Sequence, residues 1–129
     1  MKTMLCLLLL SLAPIVALAD EISIVPPNDP VGPVVTFSGR SPVENAIIYL
    51  IVNPLETPQQ FWVQARAVVD RRKNWFGSAH LGDPGPAHRN QKFVVYAVAN
   101  PEVPLHTGDV LSDLPPARWT SAPVIVTRK

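Results

Sequence analysis

Fourteen of the fifteen prolines in this 129-residue chain lie after residue 19, and no interval between them carries a sustained helical stripe of apolar residues. Proline lacks the N–H that a helix interior or a central sheet ladder requires, so it marks segment ends and loops. The punctuation runs Pro26-Pro27, Pro30, Pro33, Pro42, Pro54, Pro58, Pro84, Pro86, Pro101, Pro104, Pro115-Pro116 and Pro123. This pattern predicts no helix longer than a single turn and leaves strand pairing as the means of satisfying the backbone.

The intervals read as strands. Ile22–Val25 and Val34–Ser38 are short. Ala46–Val52 is β-branched and almost wholly apolar, as expected of a central strand covered on both faces. Gln60–Val69 alternates, with Phe61, Val63, Ala65, Ala67 and Val69 on one side and Trp62, Gln64, Arg66 and Val68 on the other. A tight turn at Asp70–Asn74 leads into Trp75–Leu81, which predicts a hairpin. Lys92–Ala99 is a second buried strand, and Val124–Thr127, entered through Pro123, is the last. About seven strands with no crossover helix between them predict an antiparallel, all-β sandwich. Gly82–Asn90 and Pro101–Ala117 read as loops. The second carries Leu105, Val110, Leu111 and Leu114, so it is expected to fold back over one end of the core.

The chain opens as an export signal. Met1-Lys2 is a short positive region, Met4–Leu12 is apolar, Pro14 interrupts it, and Ala17-Leu18-Ala19 offers the small-x-small pattern cleaved before Asp20. The expected division is a signal peptide over residues 1–19 and one β-sandwich domain over 20–129, exported to the periplasm or the medium, with no membrane span after cleavage. Cys6, the sole cysteine, leaves with the signal, so the domain must hold together without a disulfide although its compartment permits one. Lys2 leaves too, cancelling the excess of 11 basic over 10 acidic side chains. A near-neutral domain lacks the basic footprint of a nucleic-acid binder.

The run Ile47–Val52, Phe61-Trp62-Val63-Gln64, the turn, Trp75 and Gly82 resembles immunoglobulin-like modules found on bacterial exported proteins. Phe93-x-Val95-x-Ala97-Val98-Ala99 and Leu105-x-x-Gly108 with Leu111 fit the same pattern, which covers roughly residues 31–127. The resemblance implies an immunoglobulin- or fibronectin-like sandwich and assigns no chemistry. One departure is the turn before Trp75. Where such modules have Asp-Gly, this chain has Lys73-Asn74, which assigns any left-handed residue to Asn74.

No catalytic motif stands out. Ser38, Ser41, Ser78, Ser112 and Ser121 lack a Gly-x-Ser-x-Gly setting, and Glu56, Asp70, Asp83 and Asp109 fall at turns, where such side chains ordinarily bond local backbone. His80, Asp83 and His88 lie close in sequence and His106 sits in the long loop, but their spacing matches no recognised metal site. The better lead is Trp62 with Gln64 and Arg66. An indole on a mixed polar face, with an arginine to stack on it, suits a protein hot spot or a sugar ring. The expectation is therefore a non-enzymatic exported binding module with no cofactor, its partner a protein or another cell-envelope component, with carbohydrate second. A periplasmic metal-binding protein using the loop histidines and a small hydrolase with two carboxylates in one cleft are the alternatives.

Overall fold

The computed structural model describes residues 21–129; the segment expected as an export signal and its junction at Ala19 and Asp20 lie outside the described residues. Nine strands follow in order: β1 (Val34–Arg40), β2 (Ile48–Pro54), β3 (Phe61–Arg66), β4 (Val68–Val69), β5 (Asn74–His80), β6 (Lys92–Pro101), β7 (Val110–Leu111), β8 (Ala117–Thr120) and β9 (Val124–Thr127). Among the described residues the helical content is one 3-10 turn, Pro86–His88, and no helix is long and apolar enough to cross a membrane. The strands form two antiparallel sheets packed as a β-sandwich. One has the order β1-β5-β4; the other runs β7-β3-β2-β6, with β8 and β9 both paired to β6.

The segment expected as a first strand, Ile22–Val25, instead makes a single bridge from Val25 to Ser38, and Pro26-Pro27 ends it there. The segment expected as the Pro101–Ala117 loop holds β7 and leads into β8, both short pieces at a sheet margin. Three of its four aliphatics fold back, while Val110 is exposed. Leu105, Leu111 and Leu114 pack with Ile51, Val63 and Val98 on the outer face of the larger sheet. The inner face carries the main core, with Ile48, Leu50 and Val52 of β2 and Phe93, Val95, Ala97 and Ala99 of β6 meeting Phe37, Trp75 and Ala79. The apolar runs of β2 and β6 therefore arise because each strand is covered on both faces.

The stretch expected as one long strand is two strands in different sheets. Ala67 N–H still donates to Ile48 O of the larger sheet at 2.8 Å, while Val68 and Val69 already pair with Phe76 and Trp75 of the smaller one. The crossing passes directly over Gly77, where an added Cβ would lie 3.1 Å from Ala67 Cβ and 3.3 Å from Leu50 Cδ1. Just before it, the β2–β3 register shifts between the pairs Ile51–Val63 and Tyr49–Arg66, a bulge that gives β3 an extra residue.

The hairpin turn also differs from expectation. Lys73, not Asn74, adopts the left-handed conformation, with φ 67°. Asn74 is the first residue of β5, paired with Arg40, so the left-handed position falls on the third loop residue, as in three-residue hairpins. Asp70 secures this turn: its Oδ1 accepts N–H bonds from Arg72 at 2.8 Å and Asn74 at 2.9 Å. The Asn74 backbone bond, with help from the neighbouring Arg72 charge, holds the Asp70 carboxyl below its ordinary pKa. Because a left-handed residue with a Cβ costs roughly 1–2 kcal/mol, Lys73→Gly is expected to stabilise the domain, by up to about 1 kcal/mol once the added freedom of the unfolded chain is counted. Urea denaturation measures the change; a midpoint that falls contradicts this account of the turn.

Candidate functional site

Beyond the crossing, β5 has lost β4 as a neighbour, and its His80 N–H needs another acceptor. Gln64 supplies it. The bulged strand turns this buried side chain inward, and its Oε1 accepts the His80 N–H at 2.8 Å. Between the sheets at this end lies a cleft of about 440 Å³. Val52 and Phe93 form its apolar floor, with Trp62 and Gln64 beside them.

Two loops form the walls, each pinned by a buried polar side chain. On one side, Asn53 Nδ2 donates to Pro58 O at 3.1 Å and Gln60 O at 2.8 Å, fixing the loop that carries Glu56, Thr57 and Gln60. On the other, Arg128 is 2% exposed and its guanidinium faces main-chain carbonyls. Nη1 donates to Leu81 O and Asp83 O at 2.8 and 2.7 Å, and Nη2 to Pro84 O and Gly85 O at 3.3 and 2.9 Å. A buried cation is tolerated when its N–H groups find such partners; Nε has none, but the four bonds from Nη1 and Nη2 hold the loop bearing Gly82, Asp83, His88 and Gln91. Gly82 has φ 78°, and any Cβ there would strike the His88 ring, 2.5 Å from its Cγ.

Five polar side chains of the cleft, Gln60, Trp62, Gln64, His88 and Gln91, are engaged within its wall, which fixes what they leave free. Trp62, 39% exposed, donates its Nε1–H to Gln60 Oε1 at 3.3 Å. His88 Nδ1 accepts the Asp83 N–H at 3.1 Å, so in the neutral ring the proton sits on Nε2. Gln91 Nε2 donates to Ala87 O at 3.3 Å, leaving its Oε1 as an acceptor.

The sequence candidates divide accordingly. Trp62 and Gln64 share the cleft, whereas Arg66 does not line it. The bulge pairs Arg66 with Tyr49, which packs on the outer cluster, so the expected Arg66–Trp62 stack is absent and the guanidinium–indole contact present is Arg118 over Trp119, at 4.7 Å. Phe61 and Val63 face the loop-covered outer cluster, while Ala67 belongs to the inter-sheet core, because the crossing separates them. His80, Asp83 and His88 do come together around the cleft, and His106 lies elsewhere, 78% exposed and 3.6 Å from Asp109. Among the described residues no group of three His, Cys, Asp or Glu side chains is arranged to hold a metal ion. Gln60, Gln91 and Arg128 carry no local sequence signal, since their roles depend on loops closing over one another. A second recess of about 810 Å³, bordered by Asp29, Gly32, Arg89 and Lys129, is broader and has no aromatic side chain.

Compared with known proteins, the chain matches no family, no curated protein and no solved structure.

Arg128→Met leaves the carbonyls of Leu81, Asp83, Pro84 and Gly85 without their donor. A loss of about 2–3 kcal/mol is expected, together with faster tryptic cleavage after Arg89 under native conditions. An unchanged cleavage rate contradicts the pinning role.

Proposed function

We propose that this chain is an exported, non-enzymatic binding module, acting in the periplasm or the medium, whose ligand enters the cleft beside Trp62. The observation that carries this reading is a partly exposed indole at the mouth of a recess in which Gln60, Gln64, His88 and Gln91 are already held by hydrogen bonds. A site whose groups are fixed beforehand loses little freedom when a ligand arrives. The cleft's volume of about 440 Å³ falls within the roughly 300–1,000 Å³ typical of compact-ligand sites. The sequence ranks a protein partner above a carbohydrate; a concave site of this size supports a compact ligand, either free or as part of a larger envelope component.

Glu56 and Asp83 both border the cleft, which is what the hydrolase alternative asks for. Both are exposed, however, and nothing encloses one of them in apolar surroundings as an acid catalyst needs. Binding without turnover is the better-supported reading. His80 and His88 serve it as hydrogen-bonding groups rather than as metal ligands.

Retention of the purified protein on the native cell-envelope fraction tests the proposal. Trp62→Ala is expected to lower retention at least about tenfold, the effect of losing a central aromatic contact, while leaving the melting temperature nearly unchanged. Equal retention of wild type and variant removes the cleft from the function. Release of soluble fragments from that fraction, abolished by Glu56→Gln, contradicts the non-enzymatic reading.

A further inference from the structure

The chemistry of the cleft narrows the ligand class. Its lining contains no lysine or arginine, two carboxylates (Glu56 and Asp83), three glutamines (Gln60, Gln64 and Gln91), two imidazoles and one indole. An anionic ligand meets two like charges there and no cation. The hydrogen bonds within the wall leave donors and acceptors side by side. Gln60 presents its Nε2 because Oε1 is engaged by Trp62. His88 presents Nε2–H because Nδ1 is engaged by Asp83. Gln91 Oε1 and the two carboxylates accept.

A hydroxyl both donates and accepts, so a polyol matches such a mixed, fixed set better than a ligand bearing acceptors alone. The exposed indole adds a flat face whose negative π surface attracts weakly positive C–H groups. One molecular shape satisfies both requirements: a pyranose ring, with C–H bonds on its face and hydroxyls around its rim. A quaternary ammonium fits less well, because sites for it close several aromatic rings around the charge, whereas here only the Trp62 indole is exposed and Phe93 is buried in the floor.

Resting on the reading of the cleft as a binding site, we propose that it receives an uncharged pyranose, stacked on Trp62 and read at its hydroxyls by Gln60, His88 and Gln91. Gln64 acts as a positioning residue, because its carbonyl oxygen is committed to the His80 N–H. The apolar floor of Val52 and Phe93 limits the depth to which the ring can enter.

The test is titration of the purified protein, followed by calorimetry and tryptophan fluorescence. The probes are neutral tetrasaccharides of β-1,4-linked glucose, mannose and N-acetylglucosamine, a tetragalacturonate, and choline. At least one neutral series is expected to bind and shift the emission, with about tenfold or greater loss in Trp62→Ala and a smaller, roughly threefold loss in Gln60→Ala. Trp75 is fully buried and reports that each variant remains folded. Failure of all three neutral series overturns the proposal, as does tighter binding of tetragalacturonate or choline. So does neutral-sugar binding that Trp62→Ala leaves intact. If sugars fail while envelope retention still depends on Trp62, the sugar class falls and the binding cleft stands. Retention indifferent to Trp62 removes the cleft itself.

Discussion

Between Arg66 and Val68 the chain leaves one sheet and joins the other, and the geometry of the cleft descends from that crossing. A strand that changes sheets leaves its former and its new neighbours partly unpaired, and buried N–H groups do not remain without partners at low cost. Here the bulge before the crossing rotates Gln64 inward, where its side-chain carbonyl takes the place of the missing backbone acceptor beside His80. Trp62, paired beside Val52 at the far end of β3, borders the recess instead of a core. Gly77 permits the close passage of Ala67 that the arrangement requires.

The walls of that recess are irregular loops, yet they are not loosely held. Asn53 and Arg128 are both nearly excluded from water and spend their hydrogen bonds on main-chain carbonyls of the two loops. In each case a side chain from the end of a strand of the larger sheet fixes a neighbouring segment, so the rigidity of the sheets extends to the rim. This organisation suits recognition, where a preformed arrangement of donors and acceptors reduces the ordering needed on binding. It also accounts for stability without a disulfide in the described domain, because both faces of β2 and β6 are buried, one by the second sheet and one by the returning 102–116 segment.

Much of the architecture was legible in the residues. Dense proline excluded helices, and the unbroken apolar runs of β2 and β6 announced strands covered on both faces. Leu105, Leu111 and Leu114 marked a loop that folds back. The crossing at Ala67 was not legible, because the period-two alternation of residues 60–69 continues smoothly through it and a bulge leaves no compositional trace. The consequence reaches the site. A single uninterrupted strand puts Trp62, Gln64 and Arg66 on one face, whereas the bulge keeps only the first two together. The left-handed residue of the hairpin is Lys73 and not Asn74 for a related reason, since loop length sets the position and side-chain preference yields to it. Trp62 remained identifiable because it is a large aromatic among polar neighbours. Its companions Gln60, His88 and Gln91 become meaningful only once two distant loops are brought together.

The cleft therefore rests on the tie between Gln64 and β5. Nuclear Overhauser measurements on isotope-labelled protein test it most directly. The His80 amide should show strong contacts to the Gln64 side chain and slow hydrogen exchange, and Gln64→Ala should accelerate that exchange selectively. A His80 amide that exchanges as freely as an exposed edge, with Gln64 in contact with Arg66 and Tyr49 instead, contradicts the sheet crossing and the cleft built upon it.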